Sequence, residues 1–303
     1  MSHQVLARKW RPKNFDSLVG QENTVQALVN ALDQERLHHA YLFTGTRGVG
    51  KTTLARILAK SLNCEKGISS NSCGECSSCL AVDKGNFVDL IEVDAASNTK
   101  VDEMRELLEN SQYAPTSGRF KVYIIDEVHM LSNSAFNAML KTLEEPPEHI
   151  KFILATTDPK KLPVTVLSRC LQFNLKQMTV EKISNHLDMI LGEEKIKFEK
   201  KALGLISKSA KGSMRDALSI LDQAIAYSGN EISEEKISEM LGVVDNNFLT
   251  EILFKLSENK GDDLIEIGCG MNDKNIALDS TLDDLASLIH RVSIYQVAPS
   301  NEL

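Results

Sequence analysis

AYLF (40–43) running into GTRGVGKT (45–52), and then through Thr53, Leu54, Ile57 and Leu58, decides the fold. Four apolar residues of strand type lead into a glycine-rich turn, followed by apolar positions at helical spacing. The turn fits the form G-x-x-x-x-G-K-[ST]. There, glycines let successive backbone N–H groups face inward at a helix N-terminus, where unpaired donors and the helix dipole favour anions. Phosphate groups are the expected ligand, cradled by Gly45, Thr46, Arg47, Gly48, Val49 and Gly50. Lys51 is expected to reach the outer phosphates, Thr52 to bind Mg²⁺, and Thr53 to flank it at the start of the helix. The rival reading is a chance glycine-rich turn, and the strand before it and the helix after it count against that.

Outward from this stretch, helices and strands alternate. Val25, Leu28, Val29 and Leu32 recur at helical spacing before it. After it come the strand VDLIEVDA (88–95), a helix through Val101, Met104, Leu107 and Leu108, and the strand KVYIID (121–126). A helix through Phe136, Met139, Leu140 and Leu143 and the strand KFILATT (151–157) follow. Such repetition implies an α/β fold: a parallel sheet with helices on both faces. The strand VYIIDE (122–127) ends in two carboxylates. Asp126 is placed to complete a Mg²⁺ shell, and Glu127 to orient and polarise an attacking water. An acidic pair at a strand end can also cap the next helix; its position two strands beyond the phosphate loop favours the chemical role.

Beyond about residue 177 the strand-like runs stop, and helices are expected over 179–193, 199–210, 213–228, 233–241 and 245–259, with a last one over 282–297. The stretch 268–281 shows no clear period. Three regions follow: 1–177, the phosphate-binding α/β module; 178–242, a helical domain; and 243–303, a further helical region.

The chain has 303 residues, 34 Lys plus Arg and 42 Asp plus Glu, a net charge of −8. That balance excludes a uniformly basic, nucleic-acid-coating surface. Residues 1–60 carry nine cations against four acids, and residues 243–303 four against eleven, so the charge is polarised. No apolar run approaches the ~18 residues of a membrane span. The start, MSHQVLARKWRPKNF, has no apolar stretch of leader type. A cytoplasmic location is expected.

Cys64, Cys73, Cys76 and Cys79 form C-x8-C-x2-C-x2-C in a Ser-, Gly- and Asn-rich segment. Reducing surroundings disfavour disulfides there. Four thiolates at this spacing fit a closed tetrahedral Zn²⁺ site that would fold an insertion over 64–79 too polar to make its own core. An iron–sulfur cluster is the competing occupant that the same ligands permit. Cys170 and Cys269 are read as packing residues.

ARKWRPKNFDSLVGQ (7–21), GTRGVGKT, the four-cysteine insertion, IIDEVHMLS (124–132), LKTLEEPP (140–147), ATTDPKKLP (155–163), LSRC (167–170) and GSMRDAL (212–218) together resemble the AAA+ motor subunits of the bacterial DNA polymerase III clamp loader. The likeness covers residues 1 to about 245 closely and the rest more loosely. It implies a P-loop AAA+ domain, a helical lid over 178–242, and in 243–303 part of a longer helical collar, cut short here. It also implies ATP as the nucleotide, Thr156 or Thr157 beside the γ-phosphate, and Arg169 as a finger lent to a neighbouring subunit's ATP. Arg215 would report phosphate state to the lid, and Ala7, Arg11, Pro12, Leu18 and Val19 would line the adenine pocket. Implied partners are the other subunits of a hetero-pentamer, the sliding clamp and primed DNA. Asn98, Lys100, Arg105 and Lys161 are the expected contacts to DNA phosphates. The implied function is ATP-dependent clamp loading, without polymerase chemistry of its own. Its rivals are a non-hydrolysing structural subunit of the same loader and an AAA+ DNA-remodelling helicase.

Overall fold

The structure, a computed structural model, describes residues 4–97, 112–229, 231–242, 246–273 and 278–298. Contacts group them into two units, residues 1–193 with 206–222, and residues 194–205 with 223–303.

The first unit opens with α1 (Leu6–Lys9) and α2 (Glu22–Asp33), then β1 (Ala40–Thr44), α3 (Lys51–Leu62) and α4 (Ser77–Lys84). β2 (Leu90–Asp94), β3 (Lys121–Asp126), α5 (Asn133–Glu144), β4 (Ile150–Thr156), α6 (Val164–Leu167), β5 (Leu171–Asn174) and α7 (Val180–Glu194) follow. The five strands form one parallel sheet in the order β2-β3-β4-β1-β5. β4 thus lies between β1 and β3, and the carboxyl ends of these three strands sit side by side.

The sheet's alternation builds its two cores. Ala40, Leu42, Tyr123, Ile125, Phe152 and Leu154 pack on Phe136, Met139 and Leu143 of α5. Their neighbours Tyr41, Phe43, Val122, Ile124 and Ile153 pack on the opposite face, against Leu28 and Leu32 of α2 and Leu54, Leu58 and Leu62 of α3. Strands buried on both faces read as continuous apolar runs, as AYLF and VYII do.

The rest of the chain forms β6 (Lys197–Phe198), α8 (Lys200–Ser209), α9 (Met214–Ser228), β7 (Glu231–Ile232), α10 (Glu234–Leu241), α11 (Asn246–Ser257), α12 (Gly261–Asp273) and α13 (Leu278–Val297). In the second unit β6 and β7 form a two-residue parallel pair, and Leu249 of α11 and Met271 of α12 share a small core.

Some expectations are corrected. β5 was not anticipated, because LQFN carries no apolar run; its residues are half-buried or exposed and are held by pairing with β1. α4 arises inside the cysteine insertion. Residues 268–273, expected to be irregular, belong to α12: burial of Met271 outweighs the cost of Gly268 and Gly270 in a helix. Strand pairing does continue past residue 177, at β6 and β7. Cys269 is exposed and not a packing residue, whereas Cys170 is buried. The helix expected through Val101 to Leu108 lies outside the described residues.

Candidate functional site: a phosphate loop with an acidic strand end

β1 delivers the chain into the glycine loop, and each glycine there has a backbone a side chain would strain. Gly45, Gly48 and Gly50 have φ of 146°, 78° and 105°. A Cβ on Gly45 would lie 2.5 Å from the Leu175 carbonyl oxygen, and one on Gly48 only 1.8 Å from Ser213 Oγ and 3.3 Å from Arg215 Cβ. Val49 is fully buried beneath the loop. Leu18 Cδ1 lies 3.6 Å from the Cβ position of Gly50.

Lys51 opens α3 and is buried. Its ammonium donates to the carbonyl oxygens of Gly45 at 2.8 Å and Thr46 at 3.0 Å, folded over the loop its sequence position serves. Burial lowers its proton affinity, while the Glu127 and Asp126 carboxylates pull the other way. Thr52 Oγ1 donates to Asp126 Oδ2 at 2.5 Å, joining the first turn of α3 to the end of β3.

The next residue, Glu127, has φ of 47°, a strained conformation for a residue with a Cβ. Its Oε2 accepts from the backbone N–H of Thr157 at 3.1 Å and from Thr157 Oγ1 at 2.8 Å. His129 Nδ1 lies 3.3 Å from the same oxygen and 2.9 Å from Thr156 Oγ1. Thr156 is fully buried at the end of β4. His129 was not singled out from the sequence; its only signal was its place two residues after the acidic pair.

Arg11 Nε donates to Thr53 Oγ1 at 3.2 Å. Burial, then Arg56, lowers its proton affinity; Arg215 adds to this, while Glu92 and Asp126 oppose it. Gln21, also missed in the sequence, is buried. It donates to the carbonyl oxygens of Val49 at 3.4 Å and Lys176 at 2.8 Å, and accepts from the Lys176 N–H at 3.1 Å, so it pins the loop from below.

The structure therefore brings Lys51, Thr52, Asp126, Glu127, Thr156, Thr157, Arg11, Thr53, Leu18 and Arg215 to one end of the sheet. Thr46 and Arg47 are exposed on the loop, and Ala7, Pro12 and Val19 are half-buried. Arg169 is engaged elsewhere, donating to Glu144 Oε1 and to the Thr165 carbonyl, each at 2.7 Å. Lys161 is exposed and pairs with Asp158 at 3.4 Å. Asn98, Lys100 and Arg105 lie outside the described residues.

The four cysteines converge. Their sulfurs all lie within 4.8 Å of one another, with Cys73 and Cys79 at 3.9 Å. The N–H groups of Cys73, Cys76 and Cys79 donate to the sulfurs of Cys64, Cys73 and Cys76, each at 3.4 Å. N–H donors from Glu75 and Cys76 draw the Cys73 thiol down to about 6, while burial pushes the Cys79 thiol up. Zn–S bonds of ~2.3 Å in a tetrahedron set the sulfurs about 3.8 Å apart, so the cage is near the size for one ion.

A five-stranded parallel sheet with a P-loop after β1, an acidic strand end beside it and a helical segment beyond defines an AAA+ ATPase module. Residues 20–179 match the family model described as DNA polymerase III, delta subunit, and residues 182–230 the one described as DNA polymerase III clamp loader subunit, ATPase lid domain. The chain is 55% identical to DNA polymerase III subunit tau/gamma of Haemophilus influenzae over 99% of its own length and 44% of that protein's. It is 54% identical to subunit tau of Escherichia coli, over 99% and 47%. With subunit gamma of Buchnera aphidicola subsp. Baizongia pistaciae it shares 48%, over 100% and 82%. The chain belongs to the DNA polymerase III gamma/tau family, and it spans about half the length of the first two relatives. Among solved structures it resembles the RuvB Holliday junction branch migration motor of Thermotoga maritima. The TM-score is 0.56 at 21% identity, with 83% of this chain and 81% of that one covered, a likeness of fold alone.

Proposed function

We propose that the chain is an ATP-hydrolysing motor subunit of a sliding-clamp loader, acting in the cytoplasm beside other loader subunits of a hetero-pentamer. The observation that carries this reading is the Thr52–Asp126 hydrogen bond at 2.5 Å, with the Lys51 ammonium on the loop carbonyls next to it. A hydroxyl and a carboxylate already in contact are the two protein ligands such a loop gives to Mg²⁺. An ammonium that holds only loop carbonyls can move to phosphate oxygens without leaving a buried charge unpaired.

In this reading residues 45–50 bind the phosphates through backbone N–H groups, and Lys51 neutralises the outer ones. Thr52 and Asp126 hold Mg²⁺, which when bound supplies charge neutralisation at the phosphates. Glu127 orients the water, with Thr157 and His129 fixing its carboxylate and Thr156 holding His129. Arg215 and Arg11 add positive charge near the same loop, and Ala7, Pro12, Leu18 and Val19 form the adenine side. Arg169 is the finger offered to a neighbour's ATP; such a guanidinium is worth ~10³ to 10⁵ in rate, which makes hydrolysis conditional on assembly. Residues 178–242 serve as the lid and 243–303 as part of the collar. Asn98, Lys100, Arg105 and Lys161 contact phosphates of primed DNA, and ATP binding opens the clamp for loading.

The cysteine cage holds one structural Zn²⁺. A multi-iron cluster spreads its thiolates over separate metal corners and needs a wider cage than sulfurs within 4.8 Å provide. A non-hydrolysing scaffold would lack working groups at the loop, and here Lys51, Thr52, Asp126 and Glu127 all converge. The RuvB-like fold keeps a branch-migration reading open to test.

The deciding experiment is ATP turnover of Lys51→Ala and Arg169→Ala, alone and mixed, in the loader assembly with primed DNA and clamp. Lys51→Ala should lose nucleotide binding, whereas Arg169→Ala should bind nucleotide and turn over poorly. Wild-type turnover by Arg169→Ala would overturn the finger assignment, and stimulation by four-way junctions instead of primed DNA with clamp would favour the remodelling motor.

A further inference from the structure

A cleft of about 380 Å³ lies beside the nucleotide loop but outside it, between the N-terminal segment, α3 and α4. The N-terminal segment contributes Arg8, Lys9, Arg11 and Lys13 to its wall. Arg56 and Lys60 come from α3 and Lys84 from α4, while Asp83 is the one acid among the described lining residues. No residue of the phosphate loop lines it, and it shares only Arg11 and Pro12 with the proposed nucleotide site. Lys60 is eight residues beyond Thr52, roughly 12 Å further along the helix.

Acids offset part of this charge. Asp83 accepts from Lys60 at 2.8 Å, and Glu92, outside the cleft wall, accepts from Arg56 at 2.5 Å. Cations remain in excess, in a chain whose total charge is −8. The crowding has an internal cost: Arg56 is the largest charged influence lowering the proton affinity of Arg11. Like charges gathered in a concave wall are stabilised by an anion that enters it. Three of the cations are guanidiniums, whose planar fork matches phosphate oxygens in pairs. Among the described lining residues there is no aromatic ring, so nothing in the wall is built to stack a base or a nucleoside.

We infer that this cleft is a second anion site that grips adjacent phosphate groups, as presented by a nucleic-acid strand or by a free oligophosphate, independently of the nucleotide loop. Recognition is of the phosphates alone, so binding is indifferent to base sequence and steeply dependent on salt.

The test removes Lys13 and Lys84, both exposed, by Lys13→Ala/Lys84→Ala in a chain that also carries Lys51→Ala, so that the nucleotide loop contributes little phosphate binding of its own. Fluorescence anisotropy with a labelled oligothymidine is followed over about 50 to 200 mM salt, and inorganic tripolyphosphate is titrated by calorimetry. For a strand as the source, affinity at low salt falls on the order of tenfold and the log–log salt slope shrinks by about 1.4, two contacts at ~0.7 each on single strands. For a free oligophosphate as the source, only the tripolyphosphate affinity falls, by a similar factor. Lys13→Arg/Lys84→Arg restores binding in either case. If both affinities stay within twofold and the slope is unchanged, the inference is overturned. A wild-type loader assembly that turns over no ATP with primed DNA and clamp, while Lys13→Ala/Lys84→Ala still shrinks the slope, defeats the motor reading and leaves this site standing.

Discussion

Asp89 holds the base of the segment that precedes β3, and its removal has a cost that follows from its contacts. The side chain is 1% exposed. Oδ1 accepts from the Thr116 N–H at 2.7 Å; Oδ2 accepts from the N–H groups of Ser117 at 2.7 Å and Gly118 at 2.6 Å and from Ser117 Oγ at 3.2 Å. In Asp89→Ala three backbone donors lose a charged acceptor. Thr116 and Ser117 are exposed, so water partly replaces it, and each lost bond costs about 1 kcal/mol, the low end for an orphaned donor, or about 3 kcal/mol in all. In Asp89→Asn the amide oxygen can keep the Ser117 and Gly118 bonds while its NH₂ group meets the Thr116 N–H, at a cost of about 1 to 2 kcal/mol. Burial alone would raise the Asp89 carboxyl above the ordinary range; the three N–H groups and the Ser117 hydroxyl outweigh it and hold it below. A depressed carboxylate stabilises the fold fully above its unfolded value of ~3.9, and the stabilisation is lost as pH falls through the folded value. The difference between wild type and Asp89→Asn should therefore be complete at neutral pH and shrink below about pH 4. Urea titration gives the global figure, and amide exchange at Thr116 to Gly118 the local one. Less than 0.5 kcal/mol lost in Asp89→Ala, or a difference that grows in acid, would refute the reasoning.

Glu127→Gln should lower ATP turnover by ~10² or more while nucleotide still binds, since the amide cannot accept a proton from water; turnover within threefold of wild type counts against Glu127 as the water-orienting group. Stripping metal with a chelator should release one equivalent of zinc, measured with a chromogenic indicator, and speed amide exchange across α4. Cys76→Ser should weaken metal retention, and iron in place of zinc by elemental analysis would reverse the assignment.

What the sequence made legible was residue placement fixed by local order. The P-loop needs glycines, a lysine and a hydroxyl at set offsets on one strand–helix junction, so Gly45 to Thr52 could be read without knowing the fold. Asp126 and Glu127 could be read because an apolar strand must end where its carboxylates begin. The four cysteines stand close in sequence and close in space, and their convergence followed. By contrast, Gln21 meets Lys176 and Val49 across 155 and 28 residues, and Asp89 meets Thr116 to Gly118 across 27 to 29. Nothing local marks a glutamine or an aspartate as the partner of a distant backbone. β5 was hidden for the same reason: its place is set by pairing with β1, and of its side chains only Phe173 packs against the core.

The charges of the proposed mechanism share one property, which is that each has an intramolecular partner it can exchange. Lys51 holds the carbonyls of Gly45 and Thr46, Thr52 holds Asp126, Glu127 holds Thr157, and Arg169 holds Glu144. The Arg169–Glu144 pair is partly exposed, with side chains 31% and 51% accessible, and such pairs contribute at most about 1 kcal/mol. A guanidinium held that weakly keeps its charge and its reach, yet spends little free energy on leaving. In the proposed assembly, a phosphate from a neighbouring site, carrying more negative charge than one carboxylate, would outcompete Glu144 by simple electrostatics. Buried Lys51 is the complementary case. An unpaired ammonium there would cost several kcal/mol, so two carbonyls must hold it whenever phosphate does not. On the proposed reading, the same residues keep the loop folded without nucleotide and would yield to nucleotide when it binds, which is what a site that cycles between two states requires.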